Sequence, residues 1–292
     1  MTPLPTASDR FARTYEAVTI GFLLKGLEFP FVVPMSHICV TQQKHGLSLR
    51  SSIICIYQGV IDSTTSGIKN FFQSRRSHLF KEAIHCLFRA SALAEKPQID
   101  AYFANTLHGQ VKADLTFATL LTAGEMAMHP LDTVRTMRQA GEHLSPKKCT
   151  ISFLYKGAVA NGSRQFVAWL GFPISERMAS NVIEKTTSID SHTLSGIALK
   201  APLQSLLMTS SFWIFERLKT ELQCHPHLAT EKTGRYQAAL KHILKRHGCS
   251  GLMSGFPVKV MSNMFPIASA DYLIEQSKHR NLFPLGTALS KN

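Results

Sequence analysis

The chain has 292 residues, a formal net charge of +13 and only 17% charged side chains, below the quarter usual in soluble domains. Its 45% apolar content never runs unbroken for the length that crosses a bilayer, so hydropathy alone does not delimit spanning helices. The positive balance calls for an anionic partner. No zinc-ligand spacing, stacking-aromatic strip or basic repeat points to nucleic acid, and anionic lipid head groups fit better.

In chain order, apolar segments diluted by polar residues occupy roughly 15–42, 59–90, 110–139, 157–185, 193–222 and 255–279. The stretch 197–215 (Ile197, Leu199, Leu203, Leu206, Leu207, Phe212, Trp213, Phe215) is the most membrane-like. Residues 69–100 overlap the second segment and carry Arg75, Arg76, Lys81, Arg89 and Lys96, which reads as a long basic connection. Residues 233–247 have the apolar stripe of a surface helix in Tyr236, Ala239, Leu240, Ile243 and Leu244.

The most informative string is Pro130 to Gln139, PLDTVRTMRQ. Proline removes a helix hydrogen bond and kinks the axis. Asp132 and Arg135 then stand at i, i+3, neighbours on one turn. Charges on an apolar helix are costly in lipid unless they meet partners inside a bundle. Two degraded copies are present: Pro34 with Ser36, Cys39 and Gln43, and Pro202 with Gln204, Leu207 and Ser211. Gly59, Gly157 and Gly255, each closing a short triplet, are equally spaced along the chain. Such periodicity predicts three tandem repeats, at approximately 12–105, 106–190 and 191–285 of a single domain spanning 1–292.

These features resemble the mitochondrial carrier family, whose signature is P-x-[DE]-x-x-[KR] followed by an aromatic-basic-glycine triplet. Pro130, Asp132, Arg135, Tyr155, Lys156 and Gly157 match it. Glu275 and Lys278 fit the family's motif for the opposite gate, with Ile274 in place of its aromatic residue. The resemblance covers roughly residues 12 to 282. It implies an all-α membrane protein of six transmembrane helices in three two-helix repeats with pseudo-threefold symmetry, multi-pass in the mitochondrial inner membrane. It also implies cardiolipin as a bound lipid, at Gly59, Gly157 and Gly255 with Lys156 adding charge. Substrate-contacting positions, seven residues after each repeat glycine, would be Ser66, Arg164 and Ser262, beside Gly67, Gln165 and Asn263. Lys200 could supplement Arg164, or Arg164 could pair with an acid such as Glu125.

Departures from the family shape the functional expectation. At the matrix gate the acids would be Ser36, Asp132 and Gln204 and the bases Cys39, Arg135 and Leu207, so one of each survives. Gln43 and Gln139 keep a polar brace that Ser211 loses, and Ala179 stands where the opposite gate expects a base after Glu176. Asp132 and Arg135 would then have no charged partner on a neighbouring repeat. The chain between kink proline and repeat glycine is too short for a matrix helix in the first two repeats and long enough in the third. The expectation is a transport-deficient accessory or structural subunit docked on other subunits of a large inner-membrane complex. The alternative is an active carrier of a small anionic metabolite anchored by Arg164. No nucleophile–base pair or phosphate loop suggests an enzyme or a cofactor. Six cysteines lack paired spacing and read as reduced thiols. His225 and His227 form a lone H-x-H in a polar loop, where no metal site is expected. Residues 1–10 contain no apolar signal core.

Overall fold

A computed structural model describes residues 7–59, 67–72, 75–141, 150–191, 193–225, 228 and 234–280. All regular structure among them is helical: α1 (Ala7–His45), α2 (Leu49–Gln58), α3 (Arg75–Phe103), α4 (Gly109–Ala127), α5 (His129–Gln139), α6 (Ile151–Leu154), α7 (Ala158–Thr187), α8 (Leu194–Cys224), α9 (Arg235–His247) and α10 (Phe256–Arg280). The long helices close a ring. α1 packs on α3 and α10, α3 on α4, α4 on α7, α7 on α8, and α8 on α10. A short helix intervenes between α1 and α3 (α2), between α5 and α7 (α6) and between α8 and α10 (α9), whereas α3 leads to α4 and α7 to α8 without one.

Local chemistry sets these boundaries. Ser48, Thr150 and Thr193 are N-caps whose hydroxyls accept from the amides of Ser51, Phe153 and Gly196 at 3.1, 3.2 and 3.1 Å, satisfying donors a helix start leaves open. Pro130 breaks the third ring element: α4 stops at Ala127 and α5 restarts with the proline in its first turn. Pro34 and Pro202 lie inside uninterrupted helices. Gly59, Gly157 and Gly255 are all left-handed, with φ of 71°, 74° and 87°. At Gly255 there is a second constraint, since a Cβ would lie 3.0 Å from the Cys39 sulfur and 3.2 Å from the Cys39 carbonyl. α1 and α10 therefore meet backbone to backbone.

Three expectations are corrected. Residues 75–103 are the second ring helix, so the basic stretch at 69–100 is mostly not a connection and the span expected at 59–90 begins later. Its cations Lys81 and Arg89 sit at helical spacing on the inner face, which is what made the stretch read as polar. The segment expected to lack a short helix after Pro34 does have one, α2, because α1 ends at His45 and leaves room for it. Gly59 closes α2 and does not open a ring helix.

Polar and apolar residues are distributed inside out. Among the described residues, buried polar and charged side chains outnumber buried apolar ones. Meanwhile every ring helix exposes large apolar side chains, among them Phe22 and Leu27, Leu79 and Leu87, Leu115, Val182, Leu206 and Phe265. Water-soluble proteins bury the second kind and expose the first. By length and apolarity alone, one described segment, 18–45 within α1, is long and apolar enough to cross a membrane.

Candidate functional site

The ring encloses a cavity of about 550 Å³. Ser36 of α1, Arg135 of α5 and Lys259 and Ser262 of α10 line it and also line a constriction of about 10 Å³ below, room for roughly one water. The other walls of that constriction are Met35, Cys39, Val40, Thr136, Glu216, Lys219 and Thr220. The cavity is thus floored where α1, α5, α8 and α10 converge.

Asp132 does not line the constriction but pairs with two residues that do, Arg135 and Lys219. Its position in the first turn of α5, just past the break at Met128, turns the buried carboxylate inward. It meets Arg135 at 2.9 Å on its own helix, Lys81 of α3 at 2.5 Å and Lys219 of α8. This corrects the expectation that Asp132 and Arg135 have no charge on a neighbouring repeat. Buried charge is tolerable when it is paired on several sides, and here one carboxylate ties three elements together.

The third repeat explains why these partners escaped the sequence reading. Residues 214–223 read IFERLKTELQ, and Glu216, Lys219 and Gln223 stand at the offsets of Asp132, Arg135 and Gln139, with Ile214 where the proline would be. Anchoring on Pro202 placed the motif more than three turns too early. Gln204 is buried on α8 but absent from the constriction, as is Leu207. The acid-x-x-base-x-x-x-Gln spacing, taken without the proline, was the signal available. Two acids, Asp132 and Glu216, and two bases, Arg135 and Lys219, therefore meet at the floor. Only the α1 copy is neutral: the Ser36 hydroxyl donates to Gln139 Oε1 at 3.3 Å, and the Cys39 thiol to the Gly255 carbonyl at 3.5 Å. The brace shifts likewise, since Gln223 donates to the Thr133 hydroxyl at 3.0 Å, while Gln43 is buried.

Above the floor the walls are cationic. Lys25, Lys81, Arg89, Arg135, Arg164 and Lys259 line the cavity against only Glu28 and Glu82. Lys25 bridges both acids, at 2.8 and 3.4 Å. Arg89 is held by Glu125 at 2.6 Å, and Gln165 donates to the other oxygen of Glu125 at 2.9 Å. Arg164 pairs with Glu216 of α8 at 3.0 Å and not with Glu125, correcting the partner named from sequence. Among the described residues Lys259 makes no ion pair. Arg164, Ser262, Gln165 and Asn263 line the cavity, whereas Lys200 is buried outside its wall. Ser66 lies outside the described residues. Glu275 and Lys278 lie on α10, and their side chains are outside what is described.

The lipid-contact candidates separate. Gly157 opens α7, and Gly255 immediately precedes α10. Lys156 lies over the Phe153 ring, 4.8 Å from its centroid, outside the ring helices. No protein-family model matches the chain, and no curated protein is significantly similar to it. The chemistry must therefore be read from the cavity, which can attract and desolvate an anion against fixed guanidinium and ammonium groups.

Proposed function

We propose that this chain is a divergent, carrier-like membrane protein that admits a small anionic solute to its central cavity while the Asp132 cluster holds the opposite mouth shut. The observation that carries this reading is the juxtaposition of a cationic cavity with an ion-paired floor. Six cations line the wall; five are ion-paired to carboxylates, and Lys259, which makes no ion pair among the described residues, is left to meet a solute's negative charge. Asp132, joined to Lys81 and Lys219 across three elements, supplies a closure that can be exchanged for another state when a solute offers competing charge. The volume, about 550 Å³, lies in the range of small-molecule sites. The resemblance to mitochondrial carriers supports six spans, three repeats and an inner-membrane location, with the floor toward the matrix and cardiolipin at the starts of α7 and α10.

Purified protein in liposomes should exchange one of the common metabolic anions (a nucleotide, phosphate or a carboxylate). Arg164→Ala should abolish that exchange, because it removes a wall cation and strands Glu216. Uptake unaffected by the substitution would contradict the anion-anchor role.

A second reading, a transport-deficient accessory subunit of an inner-membrane complex, is favoured by the neutral α1 contribution to the floor. There Ser36 and Cys39 make only neutral contacts. Absence of any exchange, together with co-migration with a large complex in mild detergent, would establish it over the carrier reading.

A further inference from the structure

We infer that Glu221, His225 and His242 form a binding site for a zinc-like divalent ion that fastens α9 to the end of α8. The inference is independent of whether the cavity transports anything. Glu221 stands in the last turn of α8, and His225, four residues on, is the C-cap of that helix. His242 reaches them from the middle of α9, which is docked by Ala239 and Tyr236 against Leu218, Leu222 and Leu228. Glu221 Oε1 lies 3.1 Å from His225 Nδ1 and 2.6 Å from His242 Nδ1, and all three donor atoms fall within 4.8 Å of one another. Two imidazoles and one carboxylate form a donor set suited to zinc and its neighbours rather than to magnesium or calcium.

The surroundings are organised for this. Fully buried Arg217 holds the second carboxylate oxygen at 2.8 Å and is itself fixed by donating to the Gly251 carbonyl at 3.0 Å, which aims Oε1 at the histidines. Arg246 contacts His225 Nε2 at 3.0 Å from the exposed side. Metal on Nδ1 puts the ring proton on Nε2, so Arg246 must swing into solvent, and its charge together with that of Arg217 moderates the affinity.

The test uses the full chain in detergent, with cysteines alkylated and metal stripped, titrated with zinc against a chromophoric chelator while melting is followed. The expected result is one zinc equivalent that raises the melting temperature. His225→Ala and His242→Ala should each weaken it by more than the roughly 10–100-fold that an outer-shell partner commands. His242→Gln keeps a donor toward Glu221 but cannot ligate as imidazole does. It should melt like the parent without zinc and lose the zinc-induced rise. No zinc equivalent, or one retained undiminished in His242→Gln, would overturn the site.

Discussion

Asp132 pairs with three cations and ties α3, α5 and α8 together. Asp132→Asn leaves Lys81, Lys219 and Arg135 facing one another in a buried place. Removing one partner of a buried ion pair costs about 3–5 kcal/mol, so a large drop in melting temperature in detergent is expected. The added change Lys81→Met should recover part of it, because one stranded charge is then gone, and a double-mutant cycle would register the coupling. A drop no larger than that of a surface substitution would remove Asp132 from this role. At this scale the sequence was half legible. PLDTVRTMRQ announced a buried acid and base, but their partners could not be found while repeat three was anchored on Pro202. Ile214 does not kink a helix, so the charged copy at Glu216 and Lys219 carried no proline to mark it.

Ring helices and short helices alternate for local reasons that the sequence displayed unevenly. The proline break between α4 and α5 and the stripe of α9 were readable, since each depends on a few neighbouring residues. α3 was not readable in full, because a helix whose inner face bears Lys81, His85 and Arg89 reads as a solvated link until the other five helices supply an interior for those charges. The equal spacing of Gly59, Gly157 and Gly255 did mark a common left-handed turn, although only the latter two lead into ring helices. Gly255→Ala tests that turn. At φ of 87°, with Cys39 atoms 3.0 and 3.2 Å from the new methyl, it combines backbone strain with overpacking. A loss of about 1–3 kcal/mol is expected, read as a lower melting temperature. Gly26→Ala meets nothing within 4 Å and should be nearly silent.

At the scale of the whole molecule, one arrangement accounts for the composition. On the carrier-like reading proposed above, a ring with Phe22, Leu79, Leu115, Val182, Leu206 and Phe265 outside and Asp132, Lys81, Arg217 and Glu125 inside would stand in lipid with its charges paired within. That division also explains the modest hydropathy of the helices, each of which averages an apolar and a polar face. The measurement that bears most directly on it is thiol labelling in vesicles of uniform orientation, in a background without native cysteines. Ala168→Cys places a thiol on the cavity wall and Leu206→Cys places one on the apolar exterior. The cavity thiol should react with a membrane-impermeant reagent from one face only, and the exterior thiol from neither. Labelling of Ala168→Cys from both faces, or ready labelling of Leu206→Cys, would contradict a lipid-embedded ring closed at the Asp132 floor.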